Sequence, residues 1–391
     1  MKGFVFVFVA MLLIPFGLTT AFADQSNVVE VQCPSDFFLT HVDCNEDGTF
    51  LLAGSTGTPM DSAPEMFGID VNGHALWSIQ GAHKAGSTGL YRSAAWLDND
   101  TIIALCSEPN YPGYNTFVVQ LIEQSEIIWQ SEPMEGIMGV FPAPDGFLMT
   151  SNRDAASASI IRMNFDGELL WQIDWPEWLT FQGILTRGDT HVAFGSKTIR
   201  EGDYDHDPTS VVIAFDDGGN ILWRHDSLTS EEFTDGIWVD QDHLVLIGDA
   251  LPDGTDFATD ERWGYSFIAQ YNEAGQLWRT PYHYTLNGRV SEGTTESIIK
   301  FENGYLVAVH PRGRDAQIYL LYYGHDGSLV QKWPEPMGDI GLIDEISLQK
   351  THGGAHLIVS GKTGFQGVGS QDVPIAMLPY LTTVRGIQAP K

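Results

Sequence analysis

The chain has 391 residues, of which 51 are Asp or Glu and 20 are Lys or Arg, and its formal net charge is −31. This charge repels polyanions, and the sequence has no cluster of basic residues that could release counterions from a phosphate backbone. We therefore exclude nucleic acid as a partner and expect an acidic, well-solvated surface.

The N-terminal segment, residues 1–23, predicts a cleaved signal peptide. Lys2 supplies a positive charge, an apolar run extends from Phe4 to Leu18, and Ala21-Phe22-Ala23 is a small-x-small cleavage site. The apolar run is short for a bilayer-spanning helix, and no later stretch reaches the required length. We expect an exported chain, secreted or periplasmic, in which residues 24–391 form a soluble protein without an integral membrane segment.

A repeat of about 50 residues dominates the rest of the chain, and such a period is typical of propellers and solenoids. Each copy has a turn rich in Asp, Asn and Gly, followed by a short apolar run that in most copies ends at a tryptophan. These residues are Trp77, Trp129, Trp171, Trp223, Trp278 and Trp333. Because they occupy similar places in the copies, we expect them to pack between adjacent sheets.

The strands of one copy can be read directly from its apolar runs. Residues 181–185, 191–195, 211–215 and 221–223 predict four antiparallel strands, which is the content of one propeller blade. The turn between the first two strands recurs at 45–48, 98–100, 144–146, 187–189, 240–242, 302–304 and 352–354. The sequence therefore predicts an all-β fold, a single seven-bladed β-propeller over residues 24–391, with six or eight blades as alternatives. We expect it to be a monomer.

The last copy lacks a clear fourth strand. Its first three strands are predicted at Ile346–Gln349, His356–Ser360 and Pro374–Leu378. The segment Asn27–Gln32 has strand character and no other place in the repeat. We predict that it closes the ring as the outer strand of the last blade, because closure removes exposed sheet edges.

The two faces of the predicted propeller differ in the length of their loops. Turns between the first and second strands, and between the third and fourth, lie on one face and are short; we call it the short-turn face. Connections on the opposite, long-loop face include residues 55–65, 107–116, 196–209, 249–265 and 361–373. Function on rigid scaffolds resides on long loops, so this face is predicted to bind a protein, peptide or glycan. The candidate binding residues are Tyr111, Tyr114, Tyr204, Asp253, Asp256 and Trp263.

One long loop contains alternating carboxylates at Asp203, Asp205 and Asp207. Oxygen ligands in this pattern can converge on Ca²⁺. The loop is not an EF-hand, because the positions that should hold Gly and Glu are Pro208 and Ala214. A calcium site and a solvated acidic loop remain the two interpretations of this segment.

The three cysteines, Cys33, Cys44 and Cys106, have neither the spacing of a zinc site nor an even count for full disulfide pairing. A predicted strand lies between Cys33 and Cys44, so these two cysteines should be too far apart for a disulfide. No phosphate-binding or nucleophile motif stands out elsewhere in the chain. We therefore name no catalytic residue.

The repeat contains an Asp-x-x-Gly-x-x-Leu-Trp element. Its residues are Asp70, Gly73, Leu76 and Trp77; Asp166, Gly167, Leu170 and Trp171; Ala214, Asp216, Gly219, Leu222 and Trp223; and Gly275, Leu277 and Trp278. The element resembles the repeat of the quinoprotein-type (PQQ-like) β-propeller superfamily, although it is about a residue tighter and lacks that family's Thr and Lys. The resemblance implies a propeller. The family's enzymes are eight-bladed and hold the quinone with a vicinal cysteine pair and Ca²⁺, whereas no two cysteines are adjacent here.

The function that the sequence favours is an exported, non-catalytic binding or scaffold module. The resemblance includes non-enzymatic periplasmic scaffold proteins, but those carry a lipid-anchoring cysteine that this chain lacks. A propeller glycoside hydrolase or lyase is the alternative, since Asp166 stands five residues before Trp171 as in a sialidase box, although Gly167 is one position early. A quinone-dependent dehydrogenase is less favoured than either.

Overall fold

The computed structural model describes residues 4–10, 30–34, 37–58, 61–81, 88–107, 116–154, 157–198, 200–201, 204–205, 209–250, 264–286, 289–291, 293–311, 318–335, 340–351, 354–363 and 380–387. The secondary structure of these residues consists of β-strands joined by turns. Within these ranges no helix is long and apolar enough to cross a membrane.

Apart from two small hairpins, the described strands are grouped into seven sheets, numbered here in chain order. Sheet 1 contains Phe37–Cys44, Phe50–Thr58, Asp61–Ile69 and Ala75–Gln80. Sheet 2 contains Tyr91–Trp96, Thr101–Ser107, Thr116–Glu123 and Glu126–Gln130, with the short strand Met134–Glu135 also paired to its third strand. Sheet 3 contains Ile137–Ala143, Gly146–Asp154, Ser157–Asn164 and Leu169–Trp175.

Sheets 4 and 5 share the 18-residue strand Ile221–Trp238. Its first half pairs with Thr209–Asp216, which continues to Thr190–Lys197 and Leu179–Arg187 as sheet 4. Its second half is the first strand of sheet 5, with Leu244–Ala250, Tyr265–Asn272 and Gly275–Tyr282. A continuous strand therefore connects these two sheets in place of a loop.

The remaining sheets complete the chain. Sheet 6 contains Gly293–Phe301, Gly304–Pro311, Ile318–Gly324 and Leu329–Glu335. Sheet 7 contains Ile340–Thr351, Gly354–Thr363 and Tyr380–Ile387, together with Phe4–Ala10 and Glu30–Pro34. Two small hairpins pair Arg200–Glu201 with Tyr204–Asp205 and Tyr284–Leu286 with Arg289–Ser291.

The sheets are arranged in a ring. The first strand of each sheet contacts the first strand of the next, and that of sheet 7 contacts that of sheet 1. At this closing seam Gln349 Nε2 donates a hydrogen bond to the carbonyl of Val42 at 3.1 Å. Phe50 and Ile358, which belong to sheets 1 and 7, share one buried cluster. The fold is an all-β propeller whose core lies between neighbouring sheets.

Local chemistry explains why the repeat forms these sheets. In the turn after the third strand of sheet 1, Asp70 accepts hydrogen bonds from the amides of Asn72 and His74, both at 2.8 Å. Gly73 in the same turn has φ 80°, a conformation that glycine adopts without steric cost. Asp216 binds the amides of Gly218 and Asn220 in the equivalent turn of sheet 4. The repeated Asp and Gly therefore fold the hairpins.

The repeated tryptophans pack between sheets, as the sequence predicts. All six lie against buried clusters formed by neighbouring sheets. Trp171 of sheet 3 also donates from Nε1 to the carbonyl of Asp217 in sheet 4, at 2.7 Å. A Cβ added at Gly219 in that turn would stand 2.9 Å from the Trp171 ring. The small turn residue is needed because the indole lies directly on the turn.

The last sheet corrects the predicted strand assignment. The third strand is Tyr380–Ile387, which pairs with Gly354–Thr363, whereas Pro374–Leu378 lies outside the described residues. Tyr380–Ile387 is rich in β-branched and aromatic residues and contains no proline, so all its amides can pair. The N-terminal strand begins at Glu30 and is the outermost strand of the sheet, but its direct neighbour is Phe4–Ala10.

The cysteines agree with the predicted strand order. Cys44 is the last residue of the first strand of sheet 1, and Cys33 lies in the strand before it. Cys44 is a free thiol. Cys44 therefore forms no disulfide with Cys33.

Candidate functional site

A β-bulge recurs in the first strand of every sheet, close to the long-loop face. The register shifts leave one extra residue in the first strand of each of sheets 1 to 6, namely Thr40, Arg92, Met138, Gln182, Thr234 and Glu296, and two in that of sheet 7, Gly341 and Asp344. A bulge bends the strand and re-aims its side chain. The repeat thus places at least one bulge residue per sheet, of variable residue type, at similar positions around the ring.

Several bulge residues reach the first strand of the next sheet. The Thr40 hydroxyl donates to the carbonyl of Tyr91. Gln182 Nε2 donates to Glu232 Oε1 at 2.8 Å, and the hydroxyls of Thr234 and Thr295 share a hydrogen bond at 3.0 Å. These contacts join the first strands, which are the innermost of their sheets and have a paired strand on one edge only.

Three carboxylates from sheets 5 and 6 lie at the long-loop ends of their strands. We call Glu232, Asp249 and Glu296 the carboxylate cluster. Glu232 is near the start of the first strand of sheet 5, Asp249 near the end of its second strand, and Glu296 near the start of sheet 6. Glu232 and Asp249 are directly opposite each other in the sheet. Glu232 accepts a hydrogen bond from Gln182 of sheet 4, and Asp249 accepts hydrogen bonds from Thr295 of sheet 6.

Asp249 is the most perturbed member of the cluster. Burial raises the pKa of Asp249 to about 7, and the negative charge of Glu296 adds to the rise while hydrogen bonds from Ser266 and Thr295 oppose it. Ser266 Oγ donates at 2.8 Å, and Thr295 donates from its amide at 3.0 Å and its hydroxyl at 3.2 Å. All three donors address Oδ1. This pattern suits a carboxyl group whose proton is carried by Oδ2.

Glu296 is held by its own sheet. His310 Nδ1 lies 2.9 Å from Glu296 Oε1, and the Thr294 hydroxyl donates to the same carboxylate. Thr294 and His310 are directly opposite each other in sheet 6. The carboxylate is 29% exposed, so its charge remains available to solvent and to a ligand.

A second charged group on this face is internally neutralised. Glu177 lies 2.8 Å from both Lys197 Nζ and Arg224 Nη2. Hydrogen bonds from Arg224, followed by those from Lys197, lower the pKa of Glu177 to about 2. Arg224 also binds Asp226 at 2.6 Å, and this contact raises the pKa of Arg224. Because these charges satisfy one another, we regard the group as stabilising sheet 4 rather than as a ligand site.

Arg92 supplies the one cation among the described bulge residues. Its guanidinium lies 5.6 Å from the centre of the Phe117 ring. Burial lowers the pKa of Arg92. Within the part of the chain that the structure describes, Arg92 has no ion pair with a carboxylate.

Polar residues near the short-turn face have structural partners. Arg162 is 1% exposed and donates to Asp217 Oδ1 at 3.3 Å and to the carbonyls of Met163 and Pro144. His191 Nε2 lies 3.2 Å from the same Asp217 oxygen. Desolvation lowers the pKa of His191 in spite of Asp217. These residues tie sheet 3 to sheet 4.

The predicted site residues fall mainly outside the described ranges. Asp203, Asp207, Tyr111, Tyr114, Asp253, Asp256 and Trp263 all lie there. Tyr204 and Asp205 form a short strand in which Asp205 pairs with Arg200 and Tyr204 pairs with Glu201. Among the residues that are described, no group of three His, Cys, Asp or Glu side chains is placed to hold a metal ion. The calcium and loop-binding hypotheses remain predictions.

The sequence did not single out the carboxylate cluster. Glu232, Glu296 and His310 are absent from the predicted site, and Asp249 was placed only at the edge of a long loop. The sequence carries only a weak signal, namely that Glu232 and Glu296 are carboxylates near the starts of the first strands of sheets 5 and 6. Their proximity to residues of other strands depends on pairing, which the local sequence does not reveal.

Comparisons with known proteins indicate the fold and nothing finer. No protein-family model and no curated protein sequence matches this chain. The β-propeller domain of the Trilobed protease from Pyrococcus furiosus matches with a TM-score of 0.54 and 9% identity, over 90% of this chain and 95% of that one. Drosophila Semaphorin 2a matches with a TM-score of 0.50 and 8% identity, over 84% and 72% respectively. Sqt1 from Chaetomium thermophilum also matches, with a TM-score of 0.47, 9% identity and coverage of 83% and 93%.

Proposed function

We propose that this chain is an exported, seven-bladed β-propeller that binds a partner through its long-loop face and catalyses no reaction. The partner chemistry that fits best is a protein or peptide segment carrying Lys or Arg. The carboxylate cluster carries this proposal, because Glu232, Asp249 and Glu296 stand at the long-loop ends of neighbouring strands. The net charge of −31 would also draw a cationic segment toward the molecule.

The scaffold supports the same proposal. Turns on the short-turn face are occupied by repeated structural contacts, such as Asp70 with its own turn and Trp171 with Asp217. Residues at the bulge positions differ from sheet to sheet in size and charge. A surface that varies on a constant frame is the arrangement that binding proteins use. The PQQ-like character of the repeat is part of this proposal and rests on the motif residues together with the packing of the six tryptophans.

The glycoside hydrolase or lyase alternative has one observation in its favour. A carboxyl group with a pKa near 7, such as Asp249, could donate a proton at neutral pH. However, two of the three hydrogen bonds to Asp249 come from Thr295 of sheet 6 and the third comes from Ser266 of sheet 5. A group fixed in this way fits a role in joining the sheets better than a role in proton transfer.

The binding proposal can be tested with residues 24–391 and peptides of matched length that are Lys/Arg-rich, neutral or Asp/Glu-rich. We expect binding of the cationic peptides only. Glu232→Gln and Glu296→Gln should each weaken that binding about three- to tenfold, because each removes one partly exposed charge worth about 0.6–1.4 kcal/mol. Asp166→Asn is the matched control, since Asp166 is an exposed carboxylate in a turn on the short-turn face.

Isothermal titration calorimetry measures these affinities directly. Equal affinity for cationic and neutral peptides would contradict the proposed chemistry. A loss on Asp166→Asn as large as that on Glu296→Gln would mean that overall charge matters and that the long-loop face has no special role. A glycan array run on the same protein distinguishes a carbohydrate ligand from a peptide.

A further inference from the structure

The strand order of sheet 7 differs from that of the other sheets. Its five strands run Glu30–Pro34, Phe4–Ala10, Tyr380–Ile387, Gly354–Thr363 and Ile340–Thr351, from the outside inward. Sheets 1, 3 and 6 each contain four strands in chain order. The pair formed by Phe4–Ala10 and Tyr380–Ile387 is parallel, whereas the other pairs of described strands are antiparallel. Phe4–Ala10 therefore occupies the place of a fourth strand but runs in the opposite direction.

Glu30–Pro34 has the direction and the connection that a fourth strand should have. It is antiparallel to Phe4–Ala10, which makes it antiparallel to Tyr380–Ile387 as well. Only two residues separate it from Phe37, where the first strand of sheet 1 begins. Fourth strands elsewhere lead in the same way into the first strand of the following sheet, for example Leu169–Trp175 into Leu179–Arg187. Glu30–Pro34 is nevertheless one strand too far out.

We propose that Phe4–Ala10 fills the fourth-strand position of sheet 7 only in the unprocessed chain, and that its removal lets Glu30–Pro34 move inward and pair with Tyr380–Ile387. This proposal rests on cleavage after Ala23, which belongs to the proposed exported protein. Loss of Phe4–Ala10 would leave the edge of Tyr380–Ile387 without a partner strand. An unpaired strand edge favours any segment that can supply amides and carbonyls, and Glu30–Pro34 is tethered beside it.

The strand pairing of the full chain predicts the register that Glu30–Pro34 and Tyr380–Ile387 would have after the inward move. Cys33 is opposite Val5, and Phe6 is opposite Leu381, so Cys33 stands at the level of Tyr380. After the inward move Cys33 and Tyr380 would be direct neighbours, with Cα atoms about 5 Å apart. Before the inward move, Phe4–Ala10 lies between these two residues and separates their Cα atoms by about 9.5 Å. Only the shorter distance lies within the range of about 4.4–6.8 Å that a disulfide requires.

Tyr380→Cys therefore turns the proposed movement into a covalent readout. We would prepare this variant both as residues 24–391 and as the full chain 1–391, oxidise each mildly, and identify the disulfides by mass spectrometry of peptides. We expect a bond between Cys33 and the introduced thiol in residues 24–391, and at least tenfold less of it in the full chain. Tyr380→Ser in both forms is the control for chance pairing among Cys33, Cys44 and Cys106.

A second pair guards against a local effect of the first substitution. Val31 is opposite Val7, and Val7 is opposite Thr382, so Val31→Cys with Thr382→Cys should cross-link under the same conditions. Equal cross-linking in both chain lengths would overturn the proposal, as would the absence of both disulfides from residues 24–391. The N-terminal mass of the exported protein tests cleavage itself, so failure of the processing step is distinguishable from failure of the strand movement.

Discussion

At the scale of single residues, Asp249 shows how the carboxylate cluster could affect stability. Its Oδ1 accepts three hydrogen bonds, and its pKa of about 7 lies well above the ordinary value of 3.8. The folded state therefore binds this proton more tightly than the unfolded state. The stability that results is fully present below about pH 4, decreases as the pH rises toward 7, and is lost above that.

Asp249→Asn should remove this pH dependence, because an amide keeps an oxygen at the Oδ1 position and never ionises. At pH 8 we expect the variant to be more stable than the parent by about 1–3 kcal/mol. This value is smaller than the free energy that corresponds to the whole pKa shift, because Asp249 is not completely shielded from solvent. At pH 5 the difference should shrink to less than about 1 kcal/mol. Urea unfolding at both pH values measures this, with the exposed Asp166→Asn as control. A difference between Asp249→Asn and the parent that is the same at both pH values would refute the linkage.

At the scale of elements, the turns between third and fourth strands carry the contact between sheets. Gly167 in sheet 3 has φ 80°, and a Cβ there would collide with the ring of Trp129 in sheet 2. Gly188, in the turn between the first and second strands of sheet 4, also has positive φ, at 55°, but a Cβ there would meet nothing within 4 Å. The two positions separate the cost of a left-handed backbone from the cost of disturbing the tryptophan.

Gly188→Ala should cost about 1 kcal/mol through backbone strain alone. Gly167→Ala should cost about 3 kcal/mol, because displacement of the Trp129 ring adds an overpacking penalty to the same strain. Denaturant unfolding gives both values, and the tryptophan fluorescence of the folded Gly167→Ala protein should shift while that of Gly188→Ala should not. Equal losses of unfolding free energy for the two variants would mean that the packing of the Trp129 ring does not require glycine at position 167.

The elements also differ in how far the sequence predicts them. The turn containing Asp70 and Gly73 was predicted because its hydrogen bonds are all local. The third strand of sheet 7 was placed at Pro374–Leu378 instead of Tyr380–Ile387, because the choice between two apolar runs depends on which one pairs with Gly354–Thr363. The bulges in the first strands were not predicted for a related reason. A bulge is a mismatch between two strands, and neither strand reveals it alone.

At the scale of the whole molecule, the contacts that join neighbouring sheets and the residues that vary between sheets lie in different parts of the ring. Contacts such as Trp171 with Asp217 and Gln349 with Val42 join one sheet to the next near the axis and the short-turn face. The bulge residues and the carboxylate cluster, by contrast, stand at the long-loop face and differ from sheet to sheet. The predicted binding face therefore coincides with the part of the ring where the repeat is least constrained, although its loop residues lie outside the described ranges.

The net charge of −31 makes the stability of the ring sensitive to salt. Repulsion between excess carboxylates opposes the compact state, and at an ionic strength of about 0.1 M it is screened beyond about 10 Å. We expect NaCl to raise the unfolding temperature of residues 24–391.

If Asp203, Asp205 and Asp207 bind calcium, CaCl₂ at equal ionic strength should raise this unfolding temperature further, because an ion that binds only the folded state adds to its stability. The excess should disappear when all three are replaced by Asn and should be absent with MgCl₂, which prefers a stricter octahedral geometry. Differential scanning calorimetry measures each midpoint, and equal midpoints in sodium, magnesium and calcium would leave screening as the whole effect and refute the calcium site.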